Sequence, residues 1–183
     1  MITNNGLDGL HIIAFTHKNL AVSEIGQLHI EPENQEELLS EAKSTFDLCE
    51  LMYLTTCNRI EFAVVTEQSF DSDFVDRFIH SIYPTISEEN RIKLVESAEI
   101  FQGVEAVKHQ LSVASSVDSM VVGEREIITQ VRNAFDSSKK NGLTGDSLRL
   151  MMRHTIETAK RVYTETDIAR RPVSVVSLAY HQL

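Results

Sequence analysis

A chain of 183 residues, 42% hydrophobic and 24% charged, has an ordinary globular composition and is long enough for one good core or two small lobes sharing one. A formal charge of -10 excludes a protein that grips nucleic acid over a broad basic surface, because neutralising phosphates needs clustered Lys and Arg. No window reaches the roughly 18 to 20 apolar residues of a spanning helix, and no basic stretch leads into a long apolar run, so the expectation is a cytoplasmic protein without a membrane partner.

In chain order, LHIIAF from Leu10 to Phe15 predicts a buried strand. Ala21 to His29 and Pro32 to Ser44 read as helices, with Pro32 suited to a first turn. Leu48 to Thr55 and Ile60 to Thr66 are β-branched, aromatic and apolar, which predicts two strands joined sharply at Thr56, Cys57, Asn58 and Arg59. Phe74, Val75, Phe78, Ile79 and Ile82 give Asp73 to Tyr83 a helical spacing, which Pro84 ends. A short helix near Ser87 to Ile92 and a strand within Lys93 to Phe101 complete this part. Strands interleaved with helices over residues 1–102 predict an α+β fold, a small ferredoxin-like α/β sandwich with helices on one face of an antiparallel sheet.

Beyond Gly103 the pattern turns helical. Val104, Val107, Leu111, Ala114 and Val117 make one stripe, and Ile127, Ile128, Val131, Ala134 and Phe135 make a second. Asn141-Gly142 breaks the pattern and Thr144 or Asp146 suits the cap of a third helix, whose apolar face is Leu148, Met152, Ile156, Ala159 and Tyr163. Residues 103–171 therefore read as a helical subdomain completing the site. Pro172 marks a new start, and the apolar 172–183 reads as the beginning of a linker helix at a truncation point. Arg149, Arg153, Lys160, Arg161, Arg170 and Arg171 form either a phosphate-facing stripe or a solvated helix face.

Cys49 and Cys57 lie eight positions apart, which matches neither a disulfide framework nor a zinc site, so free thiols and no metal are expected. Cys57, in TTCNRIE, stands at a turn where Arg59 and backbone N–H groups favour a thiolate, although a cysteine after a strand is also a common packing residue. Cys49, within the apolar LCELMYL, is assigned to packing. On a helical wheel His109 falls nearly opposite the stripe of Val104, Val107, Leu111 and Ala114, facing away from that core, as a catalytic or a merely solvated histidine would. Ser112, Ser116 and Ser119 share its face and lead into Asp118 to Glu124, either a cleft wall or simply a helix end and a helix start.

Together these segments resemble the glutamyl-tRNA reductases, enzymes of the five-carbon route to tetrapyrroles. TTCNRIE is similar to the family's nucleophile motif and VKHQLSVASSVDSMVVGEREIITQVRNAF to its second signature, while THKNLAV and AKRVYTETDI resemble two further segments in the right order. The resemblance implies that Cys57 attacks the ester carbonyl of glutamyl-tRNA to give a thioester, which NADPH reduces to glutamate-1-semialdehyde. It implies a glutamate-binding loop of Thr56, Asn58 and Arg59, with Arg59 placed to pair with a substrate carboxylate. Ser119, Glu124, Arg125, Glu126 and Gln130 match other substrate-contacting positions, and His109 matches a histidine for proton handling or orientation.

This chain departs from the family at Ser112 (commonly Arg), Ser116-Val117 (Gly-Leu) and Arg125-Glu126 (Pro-Gln). It carries no G-x-G-x-x-G fingerprint of the family's NADPH domain. The implied partners are glutamyl-tRNA, the downstream aminomutase and, in the full-length family, a second copy in a homodimer. Expected of this piece alone are thioester formation and slow esterase activity. Two other readings stand beside it: a non-catalytic module that binds aminoacyl-tRNA, and an unrelated hydrolase using Cys57 and His109.

Overall fold

The computed structural model describes residues 7–168, so Arg170, Arg171 and the 172–183 segment lie outside it. Its strands are β1 (Leu10–Thr16), β2 (Glu50–Thr55), β3 (Arg59–Val65) and β4 (Glu99–Gln102). Helices α1 (Val22–Gln27) and α2 (Pro32–Thr45) connect β1 to β2, and α3 (Ser72–Ile82) and α4 (Glu88–Ser97) connect β3 to β4. Helices α5 (Val104–Ala114), α6 (Glu126–Lys140) and α7 (Asp146–Glu165) follow. The sheet runs β2-β3-β1-β4 with every pair antiparallel. Each helical connection thus skips one strand position, as the expected ferredoxin-like arrangement requires.

Residues alternate between the faces of a strand, so the register divides the core in two. Ile13, Phe15, Leu51, Tyr53, Ile60, Phe62 and Val64 face α2, α3 and α4 and pack with Phe74, Phe78 and Leu94. Leu10, Ile12, Ala14, Met52, Leu54 and Ala63 face the other way and pack with Val113, Val131, Leu148 and Met152 of α5, α6 and α7. Helices α5 to α7 therefore form the second cover of the same sheet. That explains why LHIIAFT is buried at every position and reads as a continuous apolar run. An antiparallel strand with one wet face would alternate instead.

Two boundaries differ from expectation. The helix expected to end at Ile92 continues to Ser97, because Leu94 sits 5% exposed in the first core and Val95 packs against it. The final strand consequently shrinks to Glu99–Gln102. At α7, neither Thr144 nor Asp146 provides a cap; the cap position is Gly145. The carboxylate of Glu50, reaching over from β2, accepts from the N–H groups of Gly145 at 2.7 Å, Ser147 at 2.9 Å and Leu148 at 2.9 Å. A negative charge at three free N–H groups also suits the positive end of the helix dipole. A methyl group on Gly145 would stand 3.0 Å from that carboxylate, so glycine keeps the room the cap needs.

The phase of α5 is the largest correction. Ala106, His109, Gln110, Val113 and Ala114 are its buried positions, whereas Val104 and Val117 are 47% and 54% exposed. His109 thus points inward, towards charged groups standing on the sheet, and not away from the core. A wheel weighted by hydrophobicity cannot register a buried face whose partners are ionic.

Candidate active site

Strands β2 and β3 are joined by Thr56, Cys57 and Asn58, and the Thr56 N–H donates to the Arg59 carbonyl at 2.9 Å and closes the turn. Thr56 Oγ1 accepts from the Asn58 N–H at 3.3 Å and donates to Asn58 Oδ1 at 3.1 Å. The His17 N–H donates to the Asn58 carbonyl at 3.1 Å, which fastens the turn to the end of β1. Cys57 is exposed on this braced corner, with a thiol open to an incoming reagent. Cys49 is exposed as well, which overturns its assignment to packing: it falls between buried Leu48 and Glu50 on the outward side of the chain.

Arg59 and Glu61 are two apart on β3 and share the face that meets α5. The Arg59 side chain is 1% exposed. Its Nη1 donates to Glu61 Oε1 at 2.7 Å, its Nη2 donates to the Asp118 carbonyl at 2.5 Å, and the Asp118 carboxylate stands 3.9 Å away. The same Glu61 oxygen accepts from His109 Nε2 at 2.9 Å. A carboxylate can only accept, so Nε2 carries a proton, and Nδ1 faces Asp118 Oδ2 at 3.8 Å. Phe101 stacks on the imidazole with ring centres 3.9 Å apart. Lys18, half exposed just past β1, closes the cluster through its 2.7 Å bond to Asp118 Oδ1.

Burial works against ionising Glu61, but the charges and hydrogen bonds of His109 and Arg59 outweigh it and hold the carboxyl below the usual glutamate range. Asp118 follows the same pattern: burial opposes its charge, while Lys18, Arg59 and His109 together hold it below the usual aspartate range. Both acids are therefore anions near neutral pH, balancing Arg59 and Lys18. Glu61 Oε2, on β3, and Gln110 Nε2, on α5, are buried without a hydrogen-bond partner. Arg59, expected to stand open for a substrate carboxylate, is instead committed to two acidic residues and braces the turn from inside.

The structure brings Thr56, Cys57, Asn58, Arg59 and His109 to one end of the sheet through these bonds. Ser119 follows Asp118 in the loop after α5, where its hydroxyl accepts from the Val121 N–H at 3.3 Å. Glu124, Arg125 and Glu126 lead into α6. The Glu124 carbonyl accepts from the Tyr163 hydroxyl at 2.9 Å, and the Arg125 guanidinium lies 6.0 Å above the Tyr163 ring. Gln130 lines a recess of about 250 Å3 with Gln35, Tyr53, Thr55 and Asn133, next to the β2 end of the turn. On α7, Arg149 and Arg161 are paired with Asp146 and Glu165, while Arg153 and Lys160 stand exposed on the same helix.

Lys18 and Glu61 escaped sequence reasoning. A charge between Ile60 and Phe62, in phase with Arg59, was the available signal for Glu61. The glycines and strands do not fit a dinucleotide. Every strand pair is antiparallel, and no glycine-rich turn leads from a strand into a helix among the described residues.

The family profile described as "Glutamyl-tRNAGlu reductase, N-terminal domain" matches residues 13–166. A glutamyl-tRNA reductase of Campylobacter curvus is 34% identical over 173 residues, covering 91% of this chain and 39% of the relative. One from Chromohalobacter salexigens is also 34% identical, covering 92% and 40%. The solved glutamyl-tRNA reductase from Methanopyrus kandleri superposes with a TM-score of 0.71 at 29% identity, covering 97% of this chain and 41% of that one. The chain therefore spans about two fifths of the length of the relatives it matches. Its profile match and shared fold carry one conclusion: the chain belongs to the glutamyl-tRNA reductase family and corresponds to the N-terminal domain.

Proposed function

We propose that this chain performs the acyl-transfer half of glutamyl-tRNA reduction, with Cys57 as the nucleophile. The Cys57 sulfur, as thiolate, attacks the carbonyl carbon of the glutamyl ester, a C–S bond forms, and the bond to the ribose oxygen breaks. The departing oxygen takes a proton and the RNA leaves, with glutamate held as a thioester on Cys57. The observation that carries this reading is an exposed thiol on a corner braced by Thr56, Asn58 and the buried Arg59, Glu61 and His109, which Asp118 joins at the edge. His109 acts as an orienting group through its bond to Glu61. Thr56, Asn58, Ser119, Glu124, Arg125, Glu126 and Gln130 are the proposed substrate contacts, and Arg59 holds the loop from within.

Reduction of the thioester belongs to NADPH bound by the longer family protein, and none of its steps is assigned to the described residues. Glutamyl-tRNA is the proposed substrate and the cytoplasm the proposed location. A second copy in a homodimer and the aminomutase that uses the aldehyde are the partners proposed for the full-length enzyme.

Mixing the chain with glutamyl-tRNA and analysing it by mass spectrometry should reveal a glutamyl adduct on the peptide containing Cys57. The Cys57→Ser protein should show no adduct and lose release of tRNA-bound glutamate above background. If Cys57→Ser cleaves the ester as fast as the parent, the thiol has no part in the reaction.

A further inference from the structure

The loop between α5 and α6 supplies Asp118 to the charged cluster, yet its amino acids have little reason to hold one shape. Val117, Met120 and Val122 are 54%, 42% and 54% exposed, which leaves Val121, at 6%, as the buried apolar side chain among the four. Two non-glycine residues among the described ones have positive φ, Asp47 and Ser116. Asp47 lies exposed after α2, where such a conformation is common. Ser116, at φ 56 and wholly buried, opens this loop. An L-residue other than Gly, Asn or Asp visits that region at a cost, and keeps it only where its surroundings over-determine it.

What over-determines Ser116 is its own hydroxyl. It donates to the Val121 carbonyl at 3.2 Å and accepts from the Gly123 N–H at 3.0 Å, so the proton and a lone pair are both used across the neck of the loop. The Ser116 carbonyl accepts from the same Gly123 N–H at 3.2 Å, while Gly123 takes φ 87 to make the return. With the neck closed, the Asp118 carbonyl meets Arg59 and its carboxylate meets Lys18. Those are the bonds joining the loop to the end of the sheet that carries Cys57.

We propose that Ser116 is a positioning residue of the acyl-transfer site. Its hydroxyl shapes the 117–123 loop so that Asp118 is delivered to Arg59 and Lys18, and the substrate meets a pre-formed wall. This rests on the reading of Cys57 as the nucleophile. Pre-organising a wall contributes to binding more than to the bond-making step, because its ordering cost is met before the substrate arrives.

Two variants separate strain from bonding. Ser116→Ala keeps the strained backbone and loses the hydroxyl; Ser116→Gly relieves the strain and loses the hydroxyl too. In both, amide exchange at Gly123 should quicken about tenfold, the scale of one or two lost hydrogen bonds, while core amides in β1 and β3 keep their rates. In single-turnover formation of the Cys57 adduct, half-saturation in glutamyl-tRNA should rise roughly fivefold or more, with the saturating rate within about twofold of the parent. Unchanged Gly123 exchange in Ser116→Ala overturns the proposal. So does unchanged half-saturation, or a fall in rate alone matching the unfolded fraction, for then the serine merely supports the fold. A parent that forms no adduct on Cys57 removes the acyl-transfer reading and this role with it. A parent that forms the adduct while the variants match it removes the role of Ser116 alone.

Discussion

Glu61 is the residue on which the site's electrostatics turn, since one of its oxygens serves both Arg59 and His109. Its carboxyl is held below the ordinary glutamate range despite burial. A carboxyl with a lowered value in the folded chain contributes stability that is fully present above the unfolded value, about pH 4.3, and lost as the pH falls through the folded value. The parent's urea midpoint should therefore drop on acidification below about pH 4. Glu61→Gln should be less stable than the parent at neutral pH and show a shallower acid limb. Parallel acid limbs in the two proteins would mean that the cluster does not titrate with folding. TTCNRIE displayed both Arg59 and Glu61, but only the register of β3 against β1 and β2 reveals that they share an inward face and meet Asp118, 59 positions away from Arg59.

At the scale of elements, the start of α7 depends on a residue of β2. Glu50 satisfies three N–H groups that the helix cannot satisfy itself, and the chain near Gly145 contributes no side-chain cap. Glu50→Ala should cost about 2 kcal/mol or more, combining a lost cap with lost charge-assisted bonds, and should lower the urea midpoint together with helical ellipticity. A change within about 0.5 kcal/mol would show that water replaces the carboxylate at no cost. Local rules placed a helix start near Thr144 to Asp146 correctly and named the wrong cap, because they look only at neighbours in sequence. The same limit explains α4: Leu94 extends the helix by packing on distant α3 and β-sheet residues, a term absent from any short window.

For the whole molecule, the consequential feature is one sheet covered on both faces. Alternate residues of β1, β2 and β3 serve opposite cores, so removing either helical layer would expose half the side chains of the same strands. Residues 10–102 and 104–165 should consequently unfold together. Urea transitions followed by far-UV ellipticity and by tyrosine fluorescence, with Tyr53 and Tyr83 at the first core and Tyr163 at the second, should coincide. Two separated transitions would reveal the helical layer to be an independent unit.

Element types, the α+β class and the thiol corner were legible in the chain, for periodicity, turn residues and the quoted motifs are properties of neighbouring residues. The inward phase of α5, the Glu50 cap, the commitment of Arg59 and the strained Ser116 were not. Each depends on which charged or polar group a distant segment presents, and hydrophobic spacing carries no record of ionic partners. Burial of His109 is the plainest case: its neighbours in sequence mark it as surface, and Glu61, 48 positions earlier on β3, draws it inside.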